Sequence, residues 1–383
     1  MQKILVLNAG SSSIKFALFD GALDEILSGC VTEIGGAACL RVGAQTTAAH
    51  APNHAAALGL CLDALAAHGH APGTLTAAAH RVVHGGTSLT AACRVTPATR
   101  AAIRALEPLA PLHNPHNLAA IEALASLAPD LPQYASFDTA FHATNPAVAT
   151  RYALPENLHA AGIRRYGFHG ISYTSLATNL PNIANQPLPN RLLALHLGNG
   201  TSLCAILNGR SVATTMGYSP LDGLTMGTRT GAIDGNAVLR LAELHGIDGA
   251  ARILNRESGL LALGGATDMR ALHAANTPES RFAIQHFCYW AIRHAGSMIA
   301  AMGGLDAIAF TGGIGENDPH IRAEILNGLA WAGVAANAAA NRQNATRLHE
   351  THSGVAIWIV PAAEERHIAA EALALIAAEE GLS

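Results

Sequence analysis

The sequence predicts an α/β protein of two duplicated domains that face each other across a cleft. Three observations lead there. Apolar strands alternate with helical stretches along most of the chain. The second half restarts the pattern of the first when Gly198 is laid on Gly10. The 383 residues are about twice the usual 100–200 residues of one domain.

Taken in order, residues 3–7 form a short apolar strand that ends at Asn8-Ala9-Gly10, and 14–19 form a second, bounded by Asp20-Gly21. Residues 54–67 carry the Ala/Leu pattern of a buried helix closed by His68-Gly69. Residues 75–83 read as a strand ending at His84-Gly85-Gly86, and 134–137 as a short strand ending at Asp138. Residues 97–106 and 117–127 read as helices with start signals. Turn signals from Asn145-Pro146 to Pro155 suit a crossover between domains. The second half opens with the strand 191–197, turns at Gly198-Asn199-Gly200-Thr201-Ser202 and resumes over 203–207. In the superposition, apolar positions fall on apolar positions and the turn is small and polar in both copies. A last strand, 306–310, runs into Thr311-Gly312-Gly313 and a helix start.

Composition narrows the function. Hydrophobic residues make up 50% and charged residues 13%, which excludes a disordered chain. A net charge of −4 leaves no basic excess to grip a nucleic-acid backbone. Residues 2–8 offer one Lys and four apolar residues interrupted by Asn8, a strand rather than a signal peptide. The longest apolar candidate, 291–310, is broken by Arg293, His294 and Asp306, so no membrane span is expected. Six cysteines without a C-x-x-C pair read as reduced thiols of a cytoplasmic protein. His80 and His84 sit on a strand, where residues four apart are not adjacent, which argues against a histidine metal site.

Three glycine-rich strand ends carry the chemistry. Asn8-Ala9-Gly10-Ser11-Ser12-Ser13-Ile14-Lys15 brings backbone N–H groups, hydroxyls and one cation to a place suited to an anion, since a plain hairpin turn seldom needs eight residues of this type. His196-Leu197-Gly198-Asn199-Gly200-Thr201-Ser202 repeats the device, and Thr311-Gly312-Gly313-Ile314-Gly315-Glu316-Asn317 permits close approach of a nucleotide. Glycine clusters also simply turn the chain. No G-x-x-x-x-G-K-[ST], no strand followed by G-x-G-x-x-G and no nucleophile elbow is present.

With these motifs the sequence resembles the acetate kinases of the acetate and sugar kinase/Hsp70/actin superfamily. The matching segments run from end to end: the Asn8 to Lys15 hairpin, His80-Arg81-Val82-Val83-His84-Gly85-Gly86, His113-Asn114-Pro115, Phe137-Asp138-Thr139-Ala140-Phe141-His142, Arg165-Tyr166-Gly167-Phe168-His169-Gly170, the His196 to Gly200 turn, Met226-Gly227-Thr228-Arg229, Phe310 to Asn317, and Pro361 with Glu364-Glu365. The resemblance implies two duplicated actin-like (ribonuclease H-like) domains, 1–145 and 146–365, with a terminal helix of about 366–383 packing back on the first. It implies Mg²⁺-dependent, reversible transfer of the ATP γ-phosphoryl group to acetate, with Mn²⁺ able to substitute, in a homodimer. By resemblance Asn8 and Glu364 help hold the metal. Lys15, His196, Leu197, Gly198, Asn199 and Gly200 lie along the ATP phosphates, and Asp268, Met269 and Arg270 with Gly313, Ile314, Gly315, Glu316 and Asn317 form the adenosine segments. Arg81 holds the acetate carboxylate, Val83, Leu112, Phe168 and Pro220 surround its methyl group, and Arg229 and His169 stabilise the transferring phosphoryl group. Asp138 matches the active-site Asp, and orients the metal, its waters or a neighbouring side chain, because ionised acetate has no proton to remove.

The chain also departs from the family. Ala232 and Gly235 replace the usual Asp and Pro of Arg-x-Gly-Asp-Ile-Asp-Pro, Ala363 replaces an Asn next to Glu364, His116 replaces a Pro, and Tyr173 ends a segment that usually ends in His. Two other readings stay open at this point. One is propionate kinase, because one methylene shifts preference by only about 1–3 kcal/mol. The other is a non-catalytic ATP-binding module, which would have no use for Arg81, His169 and Arg229.

Overall fold

β1 (Lys3–Ala9) is apolar on both faces and buried along Ile4, Leu5, Val6 and Leu7, the pattern of a strand in the middle of a covered sheet. The computed structural model describes residues 2–381. In it β1 pairs antiparallel with β2 (Ile14–Asp20) and parallel with β6 (Ala77–Val82). β3 (Glu25–Thr32), β4 (Cys39–Val42) and β5 (Gln45–Ala48) extend one side, while β7 (Cys93–Arg94) and β8 (Gln133–Phe137) extend the other, in the order β5-β4-β3-β2-β1-β6-β8-β7. The second sheet holds β9 (Arg191–Leu197), β10 (Thr201–Leu207), β11 (Arg210–Thr214), β12 (Ala307–Thr311) and β13 (Ala356–Ile359), in the order β11-β10-β9-β12-β13.

The duplication is present strand by strand. The run β3-β2-β1-β6-β8 has its copy in β11-β10-β9-β12-β13, antiparallel for the first three strands and parallel for the last three in both sheets. The chain divides into two units, Met1–Phe141 with Ala363–Ser383, and His142–Ala362. In the first, Leu5, Leu7, Phe16 and Leu18 bury against Leu58, Cys61 and Leu65 of the helix His54–Ala67. The helix Glu364–Glu379 lies against β1, β6 and β8 and buries Ile368, Ala372 and Ile376. It starts two residues before the expected 366, and residues 382 and 383 of that expectation lie outside the described residues. In the second unit, Leu193, Leu195 and Leu203 bury against Phe287, Ala291 and Met298 of the helix Pro278–Met302.

Two local expectations change. The first strand runs two residues further than expected, through Asn8 and Ala9: Asn8 faces Lys15 across the β1–β2 pair, and residues 10–13 alone turn, closed by Gly10 N–H donating to Ser13 O at 2.8 Å. Ladder hydrogen bonds hold Asn8 in place despite its polarity. The helix expected from 117 begins at Asn114, since Pro115 fits the first helical turn, where its missing N–H has no partner to lose. Among the described residues no helix is long and apolar enough to cross a membrane.

Candidate active site

Arg81 is the centre of the site residues in the first unit. It lies near the end of β6, and register brings Asn8 alongside, one residue beyond the Leu7–His80 pair. Its Nε donates to Asp138 Oδ1 and Oδ2 at 3.3 and 3.1 Å, and its Nη2 to Oδ2 at 2.7 Å. Nη1 lies 3.9 Å from Glu364 Oε2. Burial would pull the Arg81 guanidinium down, but the carboxylates of Asp138, Glu364 and Glu365 outweigh it and hold the group above its ordinary value. Asp138 is buried, and its N–H donates to Val82 O at 3.0 Å, so the β6 and β8 ends are tied to each other. Glu364 opens the helix Glu364–Glu379, where a carboxylate meets the positive end of the helix dipole.

Two buried amides of the helix Asn114–Leu127 fix the loop after β6. Asn114 accepts from His84 N–H at 3.1 Å and donates to His84 O at 3.0 Å. Asn117 accepts from Val83 N–H at 3.0 Å and donates to Ala9 O at 2.7 Å, so one side chain ties the end of β1 to the strand of Arg81. Val83 is half-buried here and Leu112 is exposed. Asn8, Asp138 and Glu364 offer amide and carboxylate oxygens, the hard donors that Mg²⁺ takes. Among the described residues no group of three or more His, Cys, Asp or Glu stands ready for a metal. An ion held by so few oxygen donors would also draw on phosphate oxygens and water.

In the second unit the side chains converge on the turn after β9. His169 caps the helix Gly170–Ala184 with a left-handed φ of 58°, a strain of about 1 kcal/mol or more that packing must hold. Its ring stacks on His196 at 4.1 Å. Each imidazole is held at Nδ1 by a serine at 2.8 Å, Ser202 for His169 and Ser172 for His196. A Cβ at Gly200 would lie 3.1 Å from His169 Nε2 and 3.8 Å from Arg229 Nη1, and one at Gly198 would lie 3.7 Å from His196 Nε2. Two imidazoles and a guanidinium therefore face one glycine turn. Arg229 Nη1 donates to Pro220 O at 3.1 Å, which brings these two expected site residues into contact. Phe168 is buried, and its carbonyl accepts from His142 Nε2 at 2.9 Å. A carbonyl only accepts, so His142 carries its proton on Nε2 and takes the Ser211 hydroxyl on Nδ1 at 2.8 Å. Burial pushes His142 down to about 4, and the bond to Phe168 opposes this.

A cavity of about 530 Å³ adjoins the turn. Gly198, Asn199, Asp268, Met269, Arg270, Gly313, Ile314 and Asn317 line it, and so do Thr267 and Asp318, which the sequence did not single out. Asp268 caps the helix Met269–Ala275, and its bonds to the Arg270 side chain and N–H hold its carboxyl down at about 2. Of the second unit's residues expected along ATP, His196, Leu197, Gly200, Gly315 and Glu316 lie off the lining. Leu197 is in the core, Gly315 is buried, and Glu316 ties the Gly312 and Ala362 N–H groups at 3.0 and 2.9 Å.

Arg322 supports the same segment without any mark in the sequence. It is fully buried and donates to Gly315 O at 2.9 Å and to Asn341 Oδ1 and O at 2.8 Å each, so it anchors the third glycine segment from below. Burial pulls its guanidinium down to about 10 against the pull of Asp318. No local signal marks a buried arginine, since the residue type is ordinarily exposed.

Comparison with known proteins places this geometry. The Acetokinase family model matches residues 3–370. The acetate kinase of Nitrobacter hamburgensis is 41% identical over 391 aligned residues, covering 98% of this chain and 96% of the relative. The crystal structure of Porphyromonas gingivalis acetate kinase superposes with a TM-score of 0.91 at 32% identity, over 98% of this chain and all of that one. A propionate kinase from Francisella tularensis superposes with a TM-score of 0.92 at 34% identity, over 97% and 99%.

Proposed function

Because the chain belongs to the acetokinase family, we propose that it carries the γ-phosphoryl group of ATP to acetate, giving acetyl phosphate and ADP by reversible, direct in-line transfer. It is a phosphotransferase with a carboxyl acceptor, in a family that uses ATP and ADP as co-substrates, generally with a divalent metal. The observation that carries the proposal is the Arg81 guanidinium, oriented by Asp138 and Glu364 next to Val83 at a strand end. A fixed fork of donors beside a small apolar surface suits a short carboxylate.

In this reading Arg81 holds acetate by its carboxylate, and one carboxylate oxygen attacks the γ-phosphorus. The P–O bond to ADP breaks and its electron pair leaves on the ADP oxygen. No proton moves, because acetate is ionised at neutral pH. The three N–H···O contacts from Arg81 to Asp138 support an orienting role for that carboxylate rather than proton abstraction. Lys15, His196 and the 197–200 turn lie along the phosphates, and Arg229 and His169 offset charge on the transferring group. Asn8 and Glu364 would hold Mg²⁺, or Mn²⁺, which accepts the same oxygen donors and when bound offsets phosphate charge. The cavity around Asp268, Met269, Arg270, Gly313 and Ile314 would take the adenosine.

The six free cysteines support a reducing cytoplasmic setting, and exposed Phe282 and Tyr289 on the helix Pro278–Met302 support a homodimer. A hydroxamate assay with ATP and Mg²⁺ tests the reading. Acetate should be the best acceptor, propionate roughly 10- to 200-fold poorer in kcat/KM and butyrate poorer again. No acyl phosphate from acetate, or a clear preference for propionate, would overturn it.

A further inference from the structure

We infer that Tyr173 and Ser202 are positioning residues that hold the proton of His169 on Nε2, so that His169 meets the transferring phosphoryl group as a neutral hydrogen-bond donor. The inference rests on the proposed role of His169 and adds what sets its proton. Ser202 Oγ lies 2.8 Å from His169 Nδ1 and 2.5 Å from the Tyr173 hydroxyl, and Ser202 and Tyr173 are both fully buried. A phenol is a far stronger acid than an alcohol, so in this short contact the phenol donates and the serine oxygen accepts. The backbone N–H of His196 also donates to the phenol oxygen, which favours the same direction. Ser202 then turns its own proton to Nδ1. A neutral imidazole that accepts at Nδ1 carries its hydrogen at Nε2.

Nε2 is the nitrogen that approaches Gly200, the turn that Arg229 Nη1 also approaches. Donors from two sides therefore meet where a phosphoryl oxygen would sit. His196 stacks on it from β9, and Arg229 approaches the same glycine from the segment after Met226, so a proton added to His169 would place a second positive charge near that guanidinium. Tyr173, on its own helix, does not titrate in the working range, because burial, with Cys204 nearby, pushes its hydroxyl far up. Here the departure at position 173 matters. The His usual at that position can donate or accept and titrates near neutrality, whereas Tyr donates over the whole range.

Nitrogen-15 NMR of histidine-labelled enzyme, with His169 identified by its absence in His169→Gln, tests this directly. The unmutated protein should show His169 protonated at Nε2 and bare at Nδ1 from pH 6 to 9. Tyr173→Phe and Ser202→Ala should each mix the tautomers and lower kcat about tenfold while KM for acetate and ATP stays within about twofold. The double variant should lose no more than either single one, since both act through one hydrogen-bond chain. Tyr173→His should recover kcat but acquire an ionisation near pH 6–7 that the unmutated enzyme lacks. If Tyr173→Phe fails to fold, Ser202→Ala and the spectrum of the unmutated protein still decide. A proton on Nδ1, full kcat in Tyr173→Phe, or additive losses would overturn the inference. Failure of the phosphoryl-transfer reading would show differently, as no acyl phosphate from the unmutated enzyme with the tautomer unchanged.

Discussion

Arg81 is held by three N–H···O contacts to Asp138, so its guanidinium is set before any acceptor arrives. Preorganisation of this kind spares the acceptor the cost of ordering its own clamp. Arg81→Ala should raise KM for acetate roughly 10- to 100-fold and lower kcat, with Lys recovering only part because it lacks the planar fork. Steady-state kinetics on acetate checks this, and unchanged kinetics would exclude Arg81 from the acceptor site. Asp138→Asn should lose activity at every pH between 6 and 9, with part of the loss regained at high Mg²⁺. Recovery by alkaline pH alone would restore proton transfer as the better account. Gly200 is exacting in another way. An added methyl would stand 3.1 Å from His169 Nε2, so Gly200→Ala should displace the ring and cost roughly 100-fold in kcat, with a much smaller change in thermal stability.

At the scale of elements, both units bury imidazoles that must stay neutral. Burial holds His80 and His84 down at about 4, and burial holds His142 near the same value. Their ordinary value is 6.5, so between pH 6.5 and 4 the unfolded chain binds protons that the folded chain refuses. Stability should therefore be fully present above pH 6.5 and fall as pH drops through that window, by on the order of 1 kcal/mol or more per imidazole. Thermal melts at pH 7.5 and 5 check this, and an unchanged melting temperature would contradict it. The same elements show what a sequence can disclose. Strands β1 and β9 were legible because Ile4 to Leu7 and Leu192 to Leu195 are unbroken apolar runs ending in small turns. The strand pairing of Asn8 with Lys15 was not, because polarity hides ladder hydrogen bonds. The residues lining the 530 Å³ cavity were legible in part, as glycine-rich ends that rigid strands must present. Arg322 and Asn117 were not, since each acts through a partner distant in sequence.

On the scale of the whole molecule, the helix Pro278–Met302 carries Phe282 and Tyr289 at 53% and 62% exposure, two aromatic side chains about two turns apart. Sedimentation at micromolar concentration should give a dimer, which Phe282→Asp with Tyr289→Asp should dissociate. A single species of 39.4 kDa from the unmutated chain would count against it. The division of the chain also has a consequence for its birth on the ribosome. The sheet of the first unit is made before Phe141, yet the helix Glu364–Glu379 that covers β1, β6 and β8 is translated only after the whole of His142–Ala362. At about 5–20 residues per second, roughly 200 intervening residues mean a wait on the order of 10–40 seconds. During that wait one apolar face of a finished sheet has no cover, while the second unit, one unbroken stretch of chain, can close first. The nascent protein is thus most in need of a chaperone in its first half, and the carboxylate of Glu364 comes to Arg81 only with the segment that ends that need.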